Sequence, residues 1–282
     1  MNLLEFICAF VLRHSKLERI MMISSGANQQ IKNLTNLLKK SKERKKSNCF
    51  VVEGPRMCFE APKEWIKSVY VSESFEKNED NIRMLKDKFE SYEVISDSIF
   101  KSISDTMTPQ GIMAVVKMPR YNLKDMINVE RPMFLVLESI QDPGNLGTMI
   151  RTGEGAGISG VIMNKTTVDI FNPKTVRSTM GSLYRVPFLI VDDLEDTISI
   201  LKNNGIMVYA AHLKAEKSYD QLDYTKPTAF LIGNEGNGLS DQISGCADQY
   251  IIIPMEGKVE SLNAAISATL LMYEANRQRR HQ

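Results

Sequence analysis

From Met133 onward, short runs of uniformly apolar residues recur at regular intervals, at 134–137, 160–163, 187–191, 207–211, 229–232 and 250–253. A strand with one wet face alternates apolar and polar residues. These runs do not alternate, so they read as strands covered on both faces, the pattern of a parallel sheet. Helical segments fall between them at 145–156, 173–181, 193–204, 240–245 and 262–279. Strand and helix in strict alternation leave few architectures. The reading is an open α/β sheet with helices on both sides.

The N-terminal part has a shorter rhythm. Ile31, Leu34, Leu37 and Leu38 share one face of a helix. Strands are expected at 49–52, 68–71, 93–95 and 112–116, and helices at 54–61, 78–89 and 96–104. Residues 22–117 therefore read as a small second α/β domain. A polar stretch bracketed by prolines, 118–132, reads as a linker, because proline stops both helix and ladder. Residues 133–282 form the larger domain, and 282 residues suit two units of this kind. Residues 1–21 carry an apolar stretch without a basic leader or a small-residue cleavage site. They read as an extension from an upstream start codon or as a loosely attached helix.

The formal net charge is +1. That value disfavours a polyanionic partner only if charge is evenly spread, and it is not. Residues 1–60 hold 11 Lys/Arg against 5 Asp/Glu, whereas 132–282 hold 13 against 17. The excess concentrates in Lys32, Lys39, Lys40, Lys42, Arg44, Lys45 and Lys46. Such a cluster attracts phosphates; it is equally the composition of a solvated helix end. The four cysteines and three histidines are scattered, so no metal site is expected. The thiols fit a reducing, cytoplasmic setting. No apolar run reaches the ~20 residues of a membrane helix.

The run Gly155-Ala156-Gly157-Ile158-Ser159-Gly160 fits G-x-G-x-x-G, but a helix precedes it and a strand follows. A dinucleotide fingerprint needs the reverse context, so the run reads as a helix C-terminal turn. Three other stretches each lie just after an expected strand: Gln141-Asp142-Pro143-Gly144-Asn145 with Arg151 beyond it, Gly233-Asn234-Glu235-Gly236 through Ser240, and Ile253-Pro254-Met255 through Ser261-Leu262-Asn263. Ligands of open α/β sheets gather beyond the carboxyl ends of strands. Each stretch also has a plain structural reading. Asp142–Asn145 makes a good β-turn, and Ser240 or Ser261 makes an ordinary helix N-cap.

Taken together, N-x-G-x-x-x-R, I-G-N-E-G and I-P-M…S-L-N closely resemble the three motifs of the SpoU (TrmH-like) branch of the SPOUT RNA methyltransferases, over residues 134–280. Residues 29–117, with Phe50-Val51-Val52-Glu53-Gly54-Pro55-Arg56, resemble the L30e/L7Ae-like substrate-binding domain that often precedes it. The resemblance implies a parallel-sheet domain with a trefoil knot, usually a homodimer through that domain. It implies S-adenosylmethionine as cofactor and a ribose 2′-hydroxyl of structured RNA as acceptor, 23S ribosomal RNA being favoured. Transfer RNA, or a catalytically silent RNA-binding or ribosome-assembly factor, are the alternatives. By the same resemblance Gly233, Gly236, Ile253, Met255 and Leu262 bind cofactor, largely through backbone. Asn145, Arg151, Glu235, Ser261 and Asn263 match catalytic and positioning sites. An arginine normally stays protonated, so Arg151 reads as a phosphate clamp and alkoxide stabiliser, not a base. Glu235 would orient Arg151 or Asn145, and Ser261 and Asn263 would fix ribose and cofactor. Lys39, Lys40, Lys42, Arg44, Lys45, Lys46 and Arg56 would grip RNA.

Overall fold

The protein is described by a computed structural model over residues 22–259 and 261–281; the expected extension 1–21 lies outside the described residues. Strands β1 (Cys49–Glu53), β2 (Ile66–Ser72), β3 (Glu93–Ile95) and β4 (Ile112–Lys117) form one sheet in the order β1-β4-β2-β3. β4 is antiparallel to both neighbours, and β2 and β3 are parallel. Helix α1 (Gln29–Lys39) covers one face. Its Ile31, Leu34, Leu37 and Leu38 are buried, and such side chains contribute roughly 1.5–3 kcal/mol each on burial. Asn28 starts the helix by accepting the Gln30 N–H. Helix α2 (Ser41–Ser47) follows and stops at Asn48, a left-handed residue at φ 52°.

The second sheet holds β5 (Met133–Leu137), β6 (Gly160–Asn164), β7 (Phe188–Val191), β8 (Met207–Ala211), β9 (Thr228–Ile232) and β10 (Gln249–Ile251). Its order is β10-β8-β9-β5-β6-β7, and every pairing is parallel. β5 and β9, adjacent at the centre, are buried along their whole length. The parallel sheet expected from uninterrupted apolar runs is what forms. β10 is shorter than its apolar run, with Ile252 reduced to a single bridge to Ser218. The chain moves from β5 outward through β6 and β7, then resumes on the other side of β9. The carboxyl ends of β5 and β9 thus mark the place where strand order reverses, the site for a ligand in open α/β sheets.

Helix α3 (Pro143–Ala156) ends where the glycine-rich run begins. Gly157, at φ 78°, turns its N–H back onto the Glu154 and Gly153 carbonyls, and β6 follows. The turn reading of that run is correct. Helices α4 (Pro173–Ser178), α5 (Leu194–Asn203) and α6 (Ala264–Arg280) flank the sheet.

The stretch 118–132 is more than a spacer. It contains a short helix, Leu123–Ile127, whose Met126 is buried, and Tyr121 meets Phe188 edge-on at 5.4 Å. The two sheets also share a buried apolar cluster. Phe50 and Phe171 lie 4.7 Å apart across it, and the Tyr184 hydroxyl donates to the Met57 carbonyl at 2.8 Å. Arg185 bridges Glu60 and Glu154 at the rim, and Arg177 meets Asp105.

Candidate active site

The loops after β5, β9 and β10 converge at one edge of the parallel sheet. The first two are stitched together. Glu138 accepts both the N–H (2.8 Å) and the hydroxyl (2.7 Å) of Ser240, and Ser240 also caps the helix Asp241–Ser244. Asn234 donates to the Ser139 carbonyl at 2.8 Å while its side-chain oxygen accepts the Gly236 and Asn237 N–H groups. Asn234 and Gly238 pair through two backbone hydrogen bonds, so the loop folds back on itself. A Cβ on Gly233 would stand 2.1 Å from the Gly238 and Leu239 backbone. Only glycine fits there.

A polar relay joins all three loops. Asn263, not Ser261, is the N-cap of α6: its Oδ1 accepts the Ala265 and Ile266 N–H groups at 2.9 and 3.3 Å. Its Nδ2 is therefore free to donate, and it does so to Asn145 Oδ1 at 2.9 Å. Asn145 Nδ2 donates in turn to Glu235 Oε1 at 3.0 Å. Glu235 also accepts the Asp142 and Gln141 N–H groups, each at 3.0 Å. Each amide orientation follows from the one before it, from the helix cap to the carboxylate. Burial works to raise the Glu235 carboxyl, but these three donors outweigh it and hold it below its ordinary value. Asp142 caps α3 through the Asn145 N–H at 2.9 Å, and that bond, with Lys174 nearby, also keeps its carboxyl low. Two anionic carboxylates thus brace the first loop.

Beside the relay lies a cleft of roughly 300 Å³. Its walls include Gly233, Glu235, Gly236, Ile253, Met255, Ser261 and Leu262. All five residues expected to hold cofactor are there. A side chain added at Gly257 would meet nothing within 4 Å, and one at Gly236 only the Asn234 side chain at 3.5 Å. These open backbone segments beside apolar Ile253 and Leu262 suit a ligand that is part flat ring and part chain. The sequence reading missed His212, which also lines the cleft just after β8. Its ring stacks on Tyr250 at 4.8 Å, and its Nδ1 accepts the Lys214 N–H. Position at a strand's carboxyl end was the signal that could have found it.

The profile of the SpoU rRNA methylase family matches residues 132–273, and that of the MRM3-like substrate-binding domain matches 28–114. The chain belongs to the SpoU rRNA methylase family. As a member it is an S-adenosylmethionine-dependent RNA (ribose-2′-O)-methyltransferase. It is 36% identical over 252 residues to the 23S rRNA (guanosine(2553)-2′-O)-methyltransferase RlmP of Bacillus subtilis, covering 89% of this chain and 97% of that one. The crystal structure of the SpoU methyltransferase AviRb from Streptomyces viridochromogenes, in complex with AdoMet, matches at TM-score 0.81 and 27% identity over 90% of this chain and all (100%) of that one. An AdoMet-bound rRNA methyltransferase from Sinorhizobium meliloti matches at TM-score 0.80 and 30% identity, covering 91% and 97%.

Not every expected residue of this SpoU-family chain stands where the sequence put it. Asn145, Glu235 and Asn263 are brought together. Arg151 is exposed on α3 and touches neither Glu235 nor any other hydrogen-bonding or ionic partner among the described residues; Glu235 orients Asn145 alone of the two. Lys39, Lys40, Lys42, Lys45 and Lys46 are exposed. Arg44 is not. Its side chain is buried, with Nη2 2.6 Å from Asp169 and Nη1 donating to the Leu37 and Leu38 carbonyls. It pins α1 and α2 to the larger domain and cannot also hold RNA. Arg56 is exposed but has its Nε on Glu60 at 2.9 Å. Among the described residues no group of three or more His, Cys, Asp or Glu could hold a metal, and no helix is long and apolar enough to cross a membrane.

Proposed function

We propose that this enzyme methylates a ribose 2′-hydroxyl of 23S ribosomal RNA, with catalysis centred on the Glu235–Asn145–Asn263 relay. The relay carries the proposal, because one carboxylate orders loops from three strands at the edge of the cleft. The near full-length likeness to RlmP supports the ribosomal substrate. S-adenosylmethionine supplies an electrophilic methyl on its sulfonium. Gly233, Gly236, Ile253, Met255 and Leu262 bind it, and Ser261 with Asn263 orients the ribose. Glu235 stays ionised and fixes Asn145, which retains one N–H and one carbonyl lone pair for the reactants. The protein's task is alignment and help for the departing hydroxyl proton. Arg151 grips an RNA phosphate and stabilises the developing alkoxide.

The division into 22–117, 118–132 and 133–282 gives the first domain the RNA grip, through Lys39, Lys40, Lys42, Lys45 and Lys46. The working form is a homodimer through the larger domain. Ile266 and Tyr273, two turns apart on α6, are 49% and 45% exposed. A Cβ on Gly155, one turn beyond Arg151, would come 2.7 Å from the Tyr273 hydroxyl. A second copy over this flank would cover those side chains and bring a partner to Arg151. The likeness to the SpoU family supports a knotted path in the larger domain. The compartment is the cytoplasm. Ribose-methylation maps of ribosomal and transfer RNA, with and without the gene, test the substrate. One site lost from 23S RNA is expected; a site lost only from transfer RNA would overturn the ribosomal reading.

A further inference from the structure

The smaller domain carries a further cavity, far in sequence from the three loops of the candidate active site. It opens between α1, α2 and the start of β2, with a volume of about 430 Å³. Gln30, Asn33 and Asn36 line it from α1, Lys46 and Glu43 from α2, and Lys67 and Tyr70 from β2. Tyr70 is the telling residue. The residue is only 6% exposed, yet its hydroxyl has no hydrogen-bond partner among the described residues. No fully buried side-chain oxygen or nitrogen lacks a partner there, so the hydroxyl meets open space. The cavity is the space it lines. Open to the cavity and held by nothing in the protein, the hydroxyl offers one donor and two acceptor lone pairs to an incoming polar group.

We infer that this cavity receives a single nucleobase splayed out of the RNA, and so contributes to target selection. The inference rests on the RNA-directed activity above and adds to it. The cavity's apolar floor, Leu34, Cys49 and Val115, suits a ring face. Its rim supplies the amides and a carboxylate that pair with base edges. Lys46 and Lys67 are exposed at that rim, and Lys45 and Lys42 lie on the same short helix. Their charge fits the phosphates that flank an extruded nucleotide. Sequence-specific RNA recognition relies on such unstacked bases. The lysines attract any phosphate; the cavity distinguishes one base from another.

The test uses the full-length protein, ¹⁵N-labelled, with its cofactor cleft saturated by S-adenosylhomocysteine so that adenine cannot enter there. AMP, GMP, CMP, UMP and ribose 5-phosphate are titrated separately, and the side-chain amides of Gln30, Asn33 and Asn36 are followed by NMR. At least one nucleotide should shift these amides with a preference over the others, while ribose 5-phosphate should not. Tyr70→Phe should weaken that nucleotide about fivefold, one hydrogen bond's worth. Its fold should be intact, because the hydroxyl holds nothing in the protein. Asn36→Asp, which exchanges a donor for an acceptor, should change which base is preferred. Identical shifts from ribose 5-phosphate and every nucleotide, or silent amides, overturn the inference. Failure to bind S-adenosylhomocysteine would count against the enzymatic reading instead, so the two failures are distinguishable.

Discussion

Glu235→Gln is the sharpest perturbation of the relay. The carboxylate accepts three N–H groups: Asp142 and Asn145 Nδ2 on Oε1, and Gln141 on Oε2. A glutamine keeps its oxygen for the first two and turns an NH₂ toward the Gln141 N–H, donor against donor. Losing a charge-assisted bond and leaving a donor unpaired costs about 1–3 kcal/mol. Glu235 is exposed, and water can rescue the freed N–H, so the lower part of that range, about 1–2 kcal/mol, applies. That corresponds to a 5- to 30-fold loss in kcat/KM, read by transfer of labelled methyl from S-adenosylmethionine to ribosomal RNA. Cofactor affinity by calorimetry should change far less, because the cleft backbone is shaped by Asn234 and Glu138. The pH profile gives a second arm. Glu235 has a carboxyl depressed in the folded protein, so the order it imposes is complete above the ordinary Glu value of ~4.3. That order is lost as pH falls through the depressed value. The wild-type enzyme should show this acid limb and the glutamine variant should lack it. Wild-type kcat/KM in Glu235→Gln, with an unchanged acid limb, would falsify the relay as the organiser of the site.

Other outcomes follow from the same geometry. Arg44→Ala should destabilise the fold by about 3 kcal/mol, the low end for removing one partner of a buried pair, because Asp169 is 20% exposed; denaturant unfolding reads this, and normal stability with weakened RNA binding would return Arg44 to the RNA surface. Gly233→Ala should reduce S-adenosylmethionine affinity at least ~10-fold by calorimetry, since its Cβ strikes backbone 2.1 Å away; unchanged affinity would mean the loop moves freely. Arg151→Ala should lower both turnover and RNA affinity while cofactor binding stays intact, and wild-type values for the first two would end its assignment. Reversing Lys39, Lys40, Lys45 and Lys46 to Glu should weaken RNA binding in a gel-shift assay without touching calorimetric cofactor affinity.

Much of the fold was legible because burial on both faces leaves an unbroken apolar run, and no solvent-facing residue interrupts β5 or β9. Strand order was not legible. β9 lies between β8 and β5, and its pairing with β5 joins residues 95 positions apart, Met133 with Thr228 through Leu137 with Ile232, which no local pattern records. The site was legible as three loops but not as a relay. The contest between helix cap and functional residue had no single winner. Asn263 caps α6 with its oxygen and reaches Asn145 with its nitrogen, so one amide serves both roles. Arg44 was misread for a related reason: in Lys42-Glu43-Arg44-Lys45-Lys46 it resembles its neighbours, and only Asp169, 125 residues away, sets it apart.

Removing Arg44 from the RNA surface alters what the basic cluster can do. Arginine reads shape, because its planar fork meets phosphate or base edge bidentately, whereas an ammonium is a compact point charge. Arg44 is committed to Asp169 and Arg56 leans on Glu60, so the exposed remainder of the cluster is lysine. Five exposed lysines, Lys39, Lys40, Lys42, Lys45 and Lys46, supply attraction that salt screens steadily, roughly 0.7–0.9 log units of affinity per log unit of salt for each phosphate engaged. They carry almost no information about which ribose to present. A cluster that grips through lysine alone leaves target selection to shape elsewhere. The concavity beside those lysines that offers side-chain amides and the open Tyr70 hydroxyl is the cavity between α1, α2 and β2. If selection lies there, high salt should weaken all RNAs alike, and Tyr70→Phe should narrow the difference between the target and a competitor RNA.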